Sequence, residues 1–460
     1  MKSDGQRDIS LCLACIGDAP LRAQLRDEAR RVRCFSCRNR RIGVGLPLLA
    51  TTVADILRPR IGIGQDVKHY GLDDDDNGWW EQEGQSLEEF LGDELQIDGD
   101  VAQRLARRLA DDDPAWPGDG EEPFFARDQN YVRLRYTDPS LRYRWSELHK
   151  RPAIDTPLVG DAERAFFADV LGRPGSDLAA ELPVFDLTDA RAIYRARVAD
   201  GRRNAVQILR RPSTELGPPP AERAGVGRMS PGGMPVFYGA FAADTAVAEI
   251  RPWVGSFVVV GEFRPRRPLR LLDLRRLGHV HEGSLFDPDY DERVNRLRFL
   301  RRFHARIVRP VAPHAETWAY RATQAVAAYV TTELGFDGIL YASVQVGAAP
   351  TDPDDDDDLS GYDDDDFAPA IRTFDDDDIG QHNVVLFGAA GHVAKPRTRR
   401  YQGAEADPGL GYVGDSAAVR RVRALNVNAP STYIYVPPKR PRKQKGRLAP
   451  VDDLGFDFDF

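Results

Sequence analysis

The chain has 460 residues, a length that suggests two or three folded units, with 42% hydrophobic and 29% charged residues. No run of about 18 apolar residues occurs, which excludes an ordinary membrane-spanning helix. The formal net charge of −9 argues against a general nucleic-acid coat, but residues 351–378 alone hold 14 Asp and one Arg, a local −13 that leaves the rest of the chain at +4.

The opening MKSDGQRDIS lacks the apolar core of a secretion signal, so a cytoplasmic location is expected. All four cysteines precede residue 40, as Cys12-Leu-Ala-Cys15 and, 18 residues later, Cys34-Phe-Ser-Cys37. Without a secretion signal this spacing points to metal rather than disulfides. A CxxC turn presents two soft ligands at once, and four thiolates close a tetrahedral zinc site with no open position for water. Cys12, Cys15, Cys34 and Cys37 are therefore expected to hold a structural zinc; four free thiols are the alternative. The segment has few large apolar residues and needs such a tie.

From about residue 48 to 150 the pattern is helical. Ser86-Leu-Glu-Glu89 reads as a capping box. Asp100 is expected to cap a helix with Val101, Leu105 and Leu109 on one stripe. A further helix is expected at 161–171, capped by Asp161. The mixture then changes: strands are expected at 191–198, 235–241, 256–263, 269–273, 338–344 and 384–387. Helices are expected after Asp244, at 290–307 and at 316–334, with Gly335 as the terminating glycine. Strict βαβ alternation is missing, so α+β is favoured over a doubly wound sheet. The Pro- and charge-rich stretch from about 395, with PPKRPRKQKGR at 437–447 and FDFDF at the end, is expected to be extended or disordered.

Several residues in the later half carry candidate chemistry. Alternation along 191–198 places Arg195 and Arg197 on one face, and guanidinium forks suit phosphate oxygens. Arg228 lies in a glycine-rich turn, GVGRMSPGGMP. Tyr238 ends a strand. Glu249 is an isolated carboxylate in the mostly apolar TAVAEI. Ser343 closes an apolar strand. Each has a plainer alternative: surface arginines, an ion pair of Glu249 with Arg251 or another Arg, and Ser343 as a small core residue.

Together these pieces resemble the RES-domain family. They are IYRAR (193–197), GRMSPGGMPVFYGAFAADTAVAEIRP (227–252), LLDL (271–274), FDGILYASVQ (336–345) and NVVLF (383–387). The resemblance implies an ADP-ribosyltransferase-like fold and an enzyme that consumes NAD, by hydrolysis or phosphorolysis, as a bacterial toxin or defence effector. Transfer of ADP-ribose to a protein or nucleic acid is the nearest alternative. It further implies Glu249 as the carboxylate at the ribose, Arg195 (or Arg197) and Arg228 at the diphosphate, Tyr238 at nicotinamide or ribose, and Ser343 at ribose or carboxamide. The N-terminal part is similar to a zinc ribbon followed by a HEPN-like helical region, within which Arg144 and His149 have the spacing of HEPN ribonucleases. A protein of another class, a nucleic-acid binder using ribbon or basic tail beside an inert RES portion, is also considered.

The expected organisation is a zinc ribbon at 1–45, a HEPN-like region at 46–155, a connector at 156–190, a RES catalytic domain at 191–395 with an acidic insert at 348–380, and a tail at 396–460. An antitoxin-like protein, or a nucleic acid through ribbon or tail, is a candidate partner. Oligomeric state is left open. His279-Val-His281 reads as a loop rather than half a metal site. The Asp354–Asp358 and Asp363–Asp366 runs lack the glycine and terminal Glu of an EF-hand.

Overall fold

The computed structural model of the protein describes residues 9–69, 79–113, 123–134, 139–149, 158–277, 282–308, 320–343, 345–346, 376–394 and 407–424. The acidic runs before residue 376, His279, His281, the 437–447 run and FDFDF lie outside these residues. Among the described residues no helix is long and apolar enough to cross a membrane.

The N-terminal unit begins with β1 (Ser10–Cys12), α1 (Ala19–Leu25), β2 (Arg30–Arg33) and β3 (Arg40–Gly45), whose strands form an antiparallel sheet in the order β1-β3-β2. It continues through α2 (Leu46–Leu57), β4 (Ile61–Ile63), β5 (Asp66–His69), β6 (Trp79–Gln82), β7 (Gln85–Ser86), α3 (Leu87–Leu95), α4 (Gly99–Asp112) and β8 (Asn130–Arg133). The helical pattern expected from about residue 48 to 150 is thus corrected by intervening strands. Strands β4, β8 and β7 make a second small sheet, and β5 and β6 a hairpin. These strands span two to four residues each, too short for alternation to register in the sequence.

Ser86 caps α3 through the expected box, its hydroxyl accepting from the Glu89 amide. Helix α4 buries Val101, Leu105 and Leu109 as its stripe predicts, but its cap is Asp98, whose carboxylate accepts from the Asp100 amide. An acid in the first turn also suits the helix dipole, which is why Asp100 imitates a cap. Leu11, Leu49, Leu91, Leu105 and Tyr131 share one core, which also takes in Phe286 and Tyr290 from the following unit.

Helices α5 (Ser140–His149), α6 (Asp161–Leu171) and α7 (Asp177–Ala180) lead into a large curved sheet. Here α6 begins after Gly160, with Glu163 accepting from the Gly160 amide, so Asp161 is a first-turn residue rather than the cap. The sheet comprises β9 (Val184–Leu187), β10 (Ile193–Ala199), β11 (Phe237–Ala240), β12 (Phe257–Pro265), β13 (Leu269–Asp273), β14 (Gly338–Ala342), β15 (His382–Leu386), β16 (Leu410–Tyr412) and β17 (Ala418–Arg421). Its order is β16-β12-β10-β11-β15-β14-β13-β9, with β17 also on β12, and only the β13–β14 pairing is parallel among the described pairs. The α+β class follows.

Within the stretch expected to be extended or disordered, Leu410–Tyr412 and Ala418–Arg421 form β16 and β17, which pair with β12 at the sheet edge. Their glycines and charges hide the pairing, which is long-range and carried by backbone hydrogen bonds.

Helices α8 (Arg202–Arg210), α9 (Pro212–Glu215), α10 (Ala243–Glu249), α11 (Tyr290–Val308), α12 (Arg321–Thr332) and α13 (Gly388–Gly391) complete the unit. Helix α10 follows Ala242 rather than the expected cap Asp244, which instead pairs with Arg420. Gly335 ends the α12 segment at φ +69°, a conformation that L side chains resist. One sheet face packs Ile339, Tyr341 and Val385 against α11, α12, Trp145 of α5 and Phe166 of α6. Alanines 196 and 240 lie against Ala246 of α10 with Val258 and Val260.

Candidate active site

The geometry of the site begins with a parting of strands. β10 pairs with β12 along seven residues, Ile193 to Ala199, but with β11 only at Tyr194 and Ala240. Beyond that point β10 and β11 diverge. Arg195 enters this gap, donates from Nη1 to the Val236 carbonyl at 3.4 Å, and lies over the Phe237 ring at 5.0 Å. Burial pushes its guanidinium down to about 10. Among the described residues no carboxylate pairs with it.

Arg197 shares the strand but not the gap. Its Nη1 donates to the carbonyl and Oε2 of Glu215, at 2.9 and 2.8 Å, on the exposed side of α9. Alternation sets the side of the strand from which a side chain leaves; the neighbouring helix decides where its tip ends.

Glu249 is the last residue of α10, a poor place for a carboxylate because the helix C-terminus carries negative potential. Its Oε1 accepts from Ser343 Oγ at 2.5 Å and from Asn383 Nδ2 at 2.7 Å. Ser343 follows β14 and is 1% exposed; Asn383 lies in β15 and is 3% exposed. Two adjacent strands thus hold one carboxylate oxygen by charge-assisted hydrogen bonds. No cation pairs with Glu249 among the described residues, so the anticipated alternative of an Arg251 ion pair is not realised. Arg251 instead takes a left-handed φ of 44°, a strained turn directly behind the carboxylate.

Asn383 was not singled out from the sequence. Its signal is a lone amide inside the apolar strand HNVVL, which leaves a polar group to be satisfied in the core. Because Glu249 can only accept, the Asn383 amide nitrogen must face it. That leaves Oδ1 buried and without a hydrogen-bond partner among the described residues.

Tyr238 and Arg228 form a second group. The Tyr238 hydroxyl accepts from the Met229 amide at 3.0 Å and contacts Ser230 Oγ at 3.1 Å. Gly227 permits this closeness, since an added Cβ would stand 2.7 Å from that hydroxyl. Gln324 Nε2 donates to the carbonyls of Gly227 and Ser230, at 2.8 and 3.1 Å, so α12 clamps the turn. Arg228 donates to the Ile307 carbonyl and lies 5.2 Å from the Tyr320 ring centroid. Burial raises Tyr238; it also raises Tyr341, on which Glu249, Tyr238 and Arg228 all act electrostatically. Tyr341 therefore links the two groups.

Residues 192–352 match the family described as the RES domain. The chain carries a RES domain. No curated protein and no solved structure matches the chain. The matched span holds Arg195, Arg228, Tyr238, Glu249 and Ser343, whereas Asn383 joins the RES-domain site from a strand beyond it.

Ahead of the RES domain, the four cysteines converge, their sulfurs all within 4.8 Å of one another. The Cys12–Cys15, Cys12–Cys37 and Cys34–Cys15 separations are 3.5, 3.7 and 3.8 Å. Tetrahedral zinc with bonds of about 2.3 Å requires sulfur–sulfur edges of about 3.8 Å. The donor set fits such an ion, and all four cysteines are free of disulfides. Arg144, in contrast, pairs with Asp169 at 2.8 Å, and the His149 side chain lies outside the described residues.

Proposed function

We propose that the RES domain binds NAD between Arg195 and Glu249 and breaks its nicotinamide–ribose bond. A RES domain is consistent with NAD-utilising activity in general. The observation that carries the reading is a mismatch of charge. Among the described residues the half-buried guanidinium on β10 has no anion, and the carboxylate at the end of α10, held from β14 and β15, has no cation. NAD supplies both missing partners: a diphosphate for the cation, and a ribose that gains positive charge as nicotinamide leaves.

In the reaction the C1″–nitrogen bond breaks and its electron pair departs with nicotinamide. An acceptor oxygen then forms the new bond to C1″. Glu249 stabilises the developing charge, and its free Oε2 is available to orient the acceptor. Ser343 and Asn383 fix the carboxylate, whose own helix position disfavours it. Arg228, which with Glu249 acts electrostatically on Tyr341, donates to the Ile307 carbonyl and so has a positioning part through the turn. Incubation of the purified protein with NAD, with and without inorganic phosphate, tests the reading. Free ADP-ribose, its 1″-phosphate or label on a macromolecule would each identify the acceptor. Persistence of intact NAD under all conditions would reject the proposal.

Asn383→Asp provides a sharper check. It sets a second carboxylate about 3 Å from Glu249, and like charges that close favour protonation of one of them. The acid limb of the kcat profile should move to higher pH, with activity near neutral pH reduced. An unmoved limb would remove Asn383 from the account.

We also propose that Cys12, Cys15, Cys34 and Cys37 hold one structural zinc. About one zinc per chain should copurify, and Cys12→Ser should reduce it to a small fraction while exposing the ribbon to proteolysis. Metal analysis of the wild type finding none would refute this.

A further inference from the structure

The β2–β3 hairpin carries a cost that folding alone does not explain. Residues 30–41 read RRVRCFSCRNRR, six arginines without one lysine or carboxylate. All six are exposed. The register sets Arg33 directly opposite Arg40 and Arg31 opposite Ile42. Facing residues share a side of a ladder, so Arg31, Arg33 and Arg40 stand together around Ile42, itself 54% exposed. Like charges directly opposite one another destabilise a strand pair. The acids that directly precede the hairpin in sequence, Asp27 and Glu28, lie in the turn before β2. Among the described residues no carboxylate forms an ion pair with these six arginines. Phe35 extends the surface: its ring centroid lies 4.7 Å from the Arg38 guanidinium and 4.6 Å from that of Arg104 on α4, which is also exposed.

We propose that this hairpin is a binding surface for the phosphate backbone of double-stranded DNA. Three features favour that occupant. Arginine forks match phosphate oxygens in a bidentate way that lysine cannot, and this surface uses arginine alone. The hairpin continues past β1, whose pairing with β3 ends at Gly43, and a two-stranded antiparallel ribbon has the width of the B-form major groove, roughly 12 Å, whereas the A-form groove of RNA is too narrow to admit it. The exposed Ile42 among the guanidiniums suits apolar contact with a thymine methyl group. Docked phosphates would also relieve the Arg33–Arg40 repulsion. The proposal is independent of the reaction assigned to the RES domain.

The test is fluorescence anisotropy of a labelled 20-base-pair duplex with the full zinc-loaded chain, titrated at several salt concentrations. Wild type should bind with a steep salt dependence. The triple variant Arg31→Gln, Arg33→Gln, Arg40→Gln should weaken binding by about 10²-fold at roughly 0.1 M salt and flatten the log–log slope by about 3. Zinc content and NAD consumption should stay at wild-type values. Should the triple variant lose its metal, Arg31→Gln alone decides the matter, because it leaves the opposed pair and the cysteine turns in place; a loss of about 5- to 10-fold is expected. Wild-type affinity in these variants would overturn the proposal and move any binding to the 437–447 run. Tighter binding of single-stranded RNA or of poly-aspartate than of the duplex would overturn it equally.

Discussion

Replacing Glu249 by glutamine should reduce NAD turnover by at least about 10²- to 10³-fold while leaving the fold intact. The substitution is chosen for its shape. Oε1 of the wild-type side chain accepts both local hydrogen bonds, from Ser343 and Asn383. A glutamine oxygen can accept the same two, so the change removes charge and keeps position. The loss should fall on kcat far more than on KM, because the ribose gains its positive charge only as the bond breaks. A thermal midpoint near wild type would show that the side chain is held as before. Removing the negative charge from the end of α10 should even be mildly favourable, since it stood against the helix dipole. Ser343→Ala offers the complementary reading: it frees the carboxylate to move without discharging it, and should cost less. NAD consumption by the glutamine variant at the wild-type rate would end the assignment.

Much of this site is visible in the residue string, and what is not visible has physical causes. An acid in an apolar helical turn and a serine at the end of an apolar strand stand out because buried polar groups need a reason. Their meeting depends on β14 and β15 being neighbours, which no local pattern encodes. Asn383 escaped notice because a single amide in a strand has many structural uses; its orphaned Oδ1 is a property of the packed core alone. Arg195 and Arg197 look equivalent by alternation. They are separated by the local parting of β10 from β11 and by the carboxylate that α9 offers to Arg197. At the N-terminus, the cysteine spacing announces its cluster, while the small strands around it are held by register and side-chain packing rather than by propensity. The arginine-rich string is equally plain to read, but the facing of Arg33 and Arg40 comes only from the ladder.

Arg195→Met should raise stability and weaken NAD binding together. Two buried arginines elsewhere in the chain are paired with acids. Arg275 meets Asp273 at 2.7 Å with both side chains almost wholly enclosed, and Arg296 meets Glu181 at 3.1 Å. Among the described residues Arg195 has a carbonyl and the face of Phe237, and no acid. A half-buried cation with no anion among the described residues is an unfavourable element of the unliganded fold, and desolvation lowers Arg195 to about 10. Methionine fills similar space, keeps contact with the ring and carries no charge. A gain of about 1–2 kcal/mol is expected, or roughly 2–8 °C in the thermal midpoint for a domain of this size. The KM for NAD should meanwhile rise by about 10- to 100-fold, since a diphosphate would lose its charge-assisted partner. Saturating NAD should stabilise the wild type but scarcely the variant, by the difference in affinity. A destabilised variant with unchanged KM would mean that Arg195 serves the fold and not the ligand.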